Sequence, residues 1–269
     1  MLRFAANLSM MFTEHPFLDR FGAAAAAGFR GVEFHFPYEF EPAVIAAQVQ
    51  RHALETVLFN LPPGDFAAGD RGLAAVPGRE EEFAASVQRA AAYARQLSCR
   101  RVHAMAGLGH VEDKRAWSTY LSNLALAADR LRPMGVTVLI EAINGRDMPG
   151  YFLQSTGAAL RALQELDRKN LRLLFDIYHC QVSEGDLIRH LRGLGNYIEH
   201  VQIASVPGRQ EPDHGEVYYP ALFEELERMG YHGWIGCEYR PAGATAAGLG
   251  WLESLTRKMN DRGAQTCGS

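Results

Sequence analysis

Residues 136–144 read VTVLIEAIN. Five apolar or β-branched residues in succession suit an extended strand, and the absence of alternation means that both faces of that strand are covered. Strands covered on both faces belong to parallel sheets packed beneath helices. The exception is Glu141, a carboxylate near the end of the run. An unpaired charge is costly to bury, so Glu141 requires a partner that its own neighbourhood in the sequence does not supply.

Seven further runs have the same character. The expected strands are residues 4–8, 31–34, 56–60, 101–106, 136–143, 171–176, 200–204 and 234–239, each followed by a longer stretch of helical period. In REEEFAASVQRAAAYARQL (79–97), Phe83, Val87, Ala91, Ala94 and Leu97 share one face, and Glu80, Glu81 and Glu82 fall in the first turn, where the helix dipole favours them. Residues 112–131 repeat the pattern with Trp117, Leu121, Leu124, Ala128 and Leu131. Pro16, Pro42 and Pro220 stand where helices should begin; Gly28, Gly135 and Gly230 stand where they should stop. A faint internal echo, AGFRGVEF (27–34) against MGYHGWIGCEY (229–239), hints at repetition.

Eight strand–helix units in 269 residues fit a closed parallel (β/α)₈ barrel of α/β class, a fold that commonly takes about 250 residues. An open doubly wound sheet would carry a phosphate-binding glycine loop after its first strand, yet FAANLSMMF (4–12) has no glycine. Residues 1–257 are expected to form one domain and 258–269, which lose periodicity, a frayed tail. Residues 61–78 and 145–153 lack periodicity and follow strands, so they should lie over the C-terminal mouth of the barrel.

Composition narrows the function. The net charge is −4 with no basic block, which speaks against nucleic acid as a partner, and no stretch is apolar enough for a membrane span. Cys99, Cys180, Cys237 and Cys267 make no CxxC pair and read as reduced thiols, so the expected location is the cytoplasm. The pattern is compatible with a homo-oligomer.

The company of Glu141 carries the chemistry. Strand five ends LIEAIN, strand six LLFDIYH, strand seven HVQIA and strand eight IGCEY, giving Glu141, Asp176, Gln202 and Glu238 at equivalent places on successive strands. In a barrel all four meet at one mouth, where three carboxylates repel one another unless a cation lies between them. Oxygen donors suit a hard divalent ion, Mg²⁺ or Mn²⁺. Three carboxylates and one such ion sum to −1, so an anionic substrate needs a further cation. His179, three residues after Asp176, and Arg209, in the loop ASVPGRQEPDHGE (204–216), can supply contacts, as can Asn60 and Arg71. Glu33 reads more simply as structural. Cys237 precedes Glu238 on the strand and so faces away from it. No GxSxG, HExxH or P-loop motif is present.

The segments RFAANLSMMF (3–12), FPY (36–38), PGREEEF (77–83), DIYH (176–179), HVQIA (200–204) and GWIGCEY (233–239) together resemble the hydroxypyruvate isomerase family within the xylose-isomerase-like barrels, over residues 1–253. The resemblance implies a divalent-metal isomerase with Glu141, Asp176, Gln202 and Glu238 at the metal. Ketose epimerases related to that family usually carry His where this chain has Gln202. The implied reaction is hydroxypyruvate to tartronate semialdehyde through a metal-stabilised enediolate, with Glu141 and Glu238 as acid and base; 2-oxo-tetronate to 3-oxo-tetronate is the alternative. Further readings are a ketose 3-epimerase, a barrel-type abasic-site endonuclease, and a barrel that binds a keto acid without turning it over.

Overall fold

The computed structural model describes residues 2–254; the expected tail at 258–269 lies outside them. The strands are β1 (Arg3–Asn7), β2 (Gly31–Phe34), β3 (Glu55–Asn60), β4 (Arg101–His103), β5 (Thr137–Glu141), β6 (Leu171–Asp176), β7 (Ile198–Ile203) and β8 (Trp234–Cys237). All pair in parallel with their sequence neighbours, and β8 returns to β1 with Ala5 opposite Gly236, closing the barrel. The helices are α1 (Arg20–Ala26), α2 (Pro42–Arg51), α3 (Glu80–Gln96), α4 (Lys114–Leu131), α5 (Thr156–Leu166), α6 (Ile177–Ser183), α7 (Leu187–Leu194) and α8 (Tyr219–Arg228).

Local sequence explains these boundaries. Pro42 opens α2 and Pro220 lies in the first turn of α8, where a missing N–H is harmless. Asp113 caps α4 by accepting from the Arg115 and Ala116 amides. Gly135 stops the segment after α4 with φ +67°, a backbone angle that costs glycine little. Two helices, α6 and α7, occupy the β6–β7 connection where the periodicity predicts one. The first begins without any loop, because Asp176 ends β6 and also caps α6, its Oδ1 accepting from the Tyr178 and His179 amides.

Alternation along the strands sorts side chains into an outer core beneath the helices and an inner stack. The inner stack has a small apolar floor built from Ala5, Val57, Leu58, Leu139, Leu174 and Trp234. Two residues further along the same strand faces the lining turns polar on four strands, Asn7, Asn60, Glu141 and Asp176 following Ala5, Leu58, Leu139 and Leu174, while on β8 Gly236 follows Trp234. Gly31 makes room in the floor, since a Cβ there would come within 2.8 Å of the Trp234 ring and of Val57. Cys237 packs in the outer core, facing away from Glu238 as expected.

Candidate active site

The C-terminal mouth opens into a cavity of about 930 Å³. Both aperiodic loops border it, the β3–α3 loop through Phe66 and Arg71 and the β5–α5 loop through Arg146, Asp147 and Met148. Tyr151 ties the second loop down, its hydroxyl accepting from the Ala106 amide at 2.8 Å.

Glu141 and Glu238 line this cavity, with Asp176 and Gln202 buried beside them at 4% and 3% exposure. Adjacent strands hold them in step, Asp176 opposite Gln202 across β6–β7 and the Glu238 amide donating to the Ile203 carbonyl. Single oxygens of Glu141 and Asp176 and a ring nitrogen of His179 lie within 4.8 Å of one another, so the two carboxylates are close enough to share a cation. Two buried oxygens, Glu141 Oε1 and Gln202 Oε1, accept no hydrogen bond. Buried acceptors left unmade are costly, and a hard cation is a group that satisfies them. Asp176 is similarly prepared, with Oδ1 committed to capping α6 and Oδ2 turned toward His179 Nε2 at 3.6 Å.

The electrostatics follow from this crowding. Burial, together with the charges of Glu238 and Asp176, pushes the Glu141 pKa well above the usual carboxylate range. Burial raises Asp176 to about 7 against the pull of Arg209. Burial acts on Glu238 too, but the His35 hydrogen bond (Nε2 to Oε1, 2.8 Å) and the Arg209 charge hold it down at about 2. Arg209 lies 3.3 Å from Glu238, 3.7 Å from Asp147 and 3.9 Å from Asp176, with its guanidinium over the Tyr178 ring at 4.8 Å. Tyr178 in turn donates to Asp147 at 2.6 Å and accepts from Arg146 at 3.0 Å, which joins the two rims of the mouth.

His179 is held as a neutral donor. The Asp147 amide donates to Asn144 Oδ1 at 2.8 Å, so the Asn144 amide nitrogen must face His179 Nδ1, 2.6 Å away. Nδ1 therefore accepts and Nε2 carries the proton, directed at the Glu141–Asp176 pair 3.8 and 3.6 Å away. Burial and the Arg209 charge push the ring to about 3. With Nδ1 accepting from Asn144 the ring is neutral, and Arg209 is the balancing cation. Asn60 is buried at the rim, while Arg71 lines the cavity but spends its guanidinium on the Phe66 and Asp70 carbonyls and the Phe66 ring.

Sequence reasoning missed His35, His103 and Asn144. His35 follows Glu33 by two residues, just past the end of β2, and His103 lies within the expected fourth strand, so alternation followed along each strand points to them. Asn144 was visible at the end of the opening stretch, but its role depends on a turn back toward α6.

The chain belongs to the xylose isomerase-like TIM barrel family, whose model matches residues 21–255. Within it the chain groups with named isomerases. It is 54% identical over 255 residues to the 2-oxo-tetronate isomerase of Cupriavidus necator, covering 94% of this chain and 98% of the relative. Against the hydroxypyruvate isomerase of Escherichia coli (strain K12) the identity is 44% over 255 residues, with 94% and 99% covered. A crystal structure described as AP endonuclease, family 2, from Brucella melitensis superposes with a TM-score of 0.92 at 51% identity, over 94% of this chain and 99% of that one. The expectation of a hydroxypyruvate isomerase-type intramolecular oxidoreductase agrees with these isomerases.

Proposed function

We propose that the protein is a divalent-metal-dependent isomerase of small 2-keto acids that moves a carbonyl between C2 and C3. The observation that carries this reading is the pair of buried carboxylates, Glu141 on β5 and Glu238 after β8, facing one cavity beside oxygens that lack donors. The residues that would hold the ion are Glu141, Asp176, Gln202 and Glu238, and Mg²⁺ or Mn²⁺ suits their oxygen donors. When bound, the ion polarises the substrate's carbonyl and adjacent hydroxyl, which acidifies the C–H between them.

The chain's own residues do the rest. Glu141 and Glu238 flank the substrate carbons, one taking the proton from C3 and the other returning a proton at C2, through an enediolate. His179 Nε2–H donates to a substrate oxygen. Arg209, buried among carboxylates that raise its pKa against the pull of burial, stays charged and offsets the negative site so that an anionic acid can enter. Net charge of −4 gives no support to a DNA substrate.

The resemblance puts hydroxypyruvate first. The relatives at 54% and 45% identity named 2-oxo-tetronate isomerase favour the four-carbon acid, which we take as the leading substrate with hydroxypyruvate second. The test is proton NMR in D₂O with Mg²⁺ or Mn²⁺, each acid separately, beside an EDTA control. Metal-dependent conversion with deuterium entering at the newly hydroxylated carbon supports the reading, and the faster acid names the substrate. No conversion of either acid with either metal would overturn it.

A further inference from the structure

One layer below the mouth lies a buried polar cluster that the reaction does not use directly. Glu33, on β2, is 1% exposed and takes three donors. Its Oε1 accepts from Asn7 Nδ2 at 3.0 Å and from Gln202 Nε2 at 2.7 Å. Its Oε2 lies 2.7 Å from Nε2 of His200, a ring that is fully buried. Room for this carboxylate comes from a glycine two strands away, on β8: a Cβ on Gly236 would fall 2.4 Å from both Glu33 oxygens.

An amide has two ends of opposite character, and only the oxygen can serve a cation. The end of Gln202 that sits 2.7 Å from a carboxylate oxygen must be the NH₂, because two acceptors at that distance repel. The Asn7 amide is locked by the same logic, since its Oδ1 accepts from the Ser9 backbone at 3.1 Å. Gln202 therefore has one orientation, with Oε1 left without any donor on the residue that pairs with Asp176 in the β6–β7 register.

We infer that Glu33 is a positioning residue for the metal centre: it fixes the Gln202 amide so that the carbonyl oxygen, and not the NH₂, is presented to the cation. The inference rests on the proposed metal site. Outer partners that orient a ligand typically change metal affinity about 10–100-fold when replaced. Glu33→Gln is nearly isosteric yet brings its own NH₂, which lets the Gln202 amide turn over. The part of its effect that passes through Gln202 is separated from what passes through Asn7 and His200 by a double-variant cycle.

The experiment measures Mn²⁺ affinity by electron paramagnetic resonance of the free ion, without substrate or turnover, in the unaltered protein, Glu33→Gln, Gln202→Ala and the double variant. We expect Glu33→Gln to weaken binding about 10–100-fold and to add nothing once Gln202 is alanine. Unchanged affinity in Glu33→Gln, or the same fold-loss on both backgrounds, would overturn the inference while leaving the metal site standing. If the unaltered protein binds no Mn²⁺, both fall together; if the coupling is found but neither keto acid is converted, only the proposed reaction falls. Should Glu33→Gln not fold, Glu33→Asp keeps the charge, withdraws it by one methylene from Gln202, and is read by the same cycle.

Discussion

Replacing Glu238 by glutamine changes one atom and removes one charge, and the surroundings of that side chain determine the outcome. The amide oxygen can still accept from His35 Nε2, now at 2.8 Å, and from Arg209, now at 3.3 Å, so the side chain keeps its place. The loss is basicity: an amide cannot carry a proton between substrate carbons. A positioned general base contributes about 10²–10⁴ in rate. That corresponds to ~3–5 kcal/mol of barrier. Neutralising Glu238 relieves the repulsion on Glu141 and Asp176 but withdraws a carboxylate that, against burial, His35 and Arg209 hold at about 2. A carboxylate so depressed stabilises the fold when ionised, so stability should fall at neutral pH. The assay is steady-state turnover of both keto acids with metal in excess, beside thermal unfolding of the same preparation. We expect kcat to fall at least about 100-fold, with the fold retained at a lower Tm. A variant retaining more than about a tenth of the parent kcat would refute the role given to Glu238.

Other outcomes derive from the same geometry. Asn144→Ala frees His179 Nδ1, and loss of a buried hydrogen bond of about 1–3 kcal/mol should lower kcat by ~5- to 150-fold in the same turnover assay. Gly31→Ala drives a Cβ to 2.8 Å from the Trp234 ring; overpacking of about 1–3 kcal/mol should lower Tm by several degrees in calorimetry. Mn²⁺ at a hundredfold excess over its Kd should add about 2.7 kcal/mol, a Tm rise that EDTA reverses. Glu225, held from 4.5 down to about 2 by hydrogen bonds from Arg192 and Arg228, contributes stability that is present above its ordinary pKa and lost as pH falls toward 2. Glu225→Gln should therefore flatten the fall of Tm between about pH 4.5 and 2.

The barrel was legible because its strands are covered on both faces, which leaves continuous apolar runs that no exposed sheet would tolerate. Strand ends were less so. Residues 104–106 and 142–143 continue the apolar run and Tyr239 follows Glu238 with an aromatic ring, but pairing thins there to single bonds, Ala104 to Leu139 and Glu238 to Ile203, and β4, β5 and β8 stop at His103, Glu141 and Cys237. Helix α6 escaped notice because Asp176 reads as a strand end, and nothing local says that it also caps a helix. The four polar strand ends stood out against apolar neighbours. Asn7 and His200 did not, since their meaning comes from Glu33, which lies 26 and 167 residues away in sequence.

The chain of contacts from Arg146 through Tyr178 and Asp147 to Arg209 draws on three separate segments of the chain. Changing any one member leaves the others facing an unbalanced charge or an unmade hydrogen bond, so substitutions there are not independent. The mouth is an epistatic unit: a descendant of this barrel that takes up a new substrate would have to replace these four residues as a set, and libraries that vary them one at a time would find mostly losses.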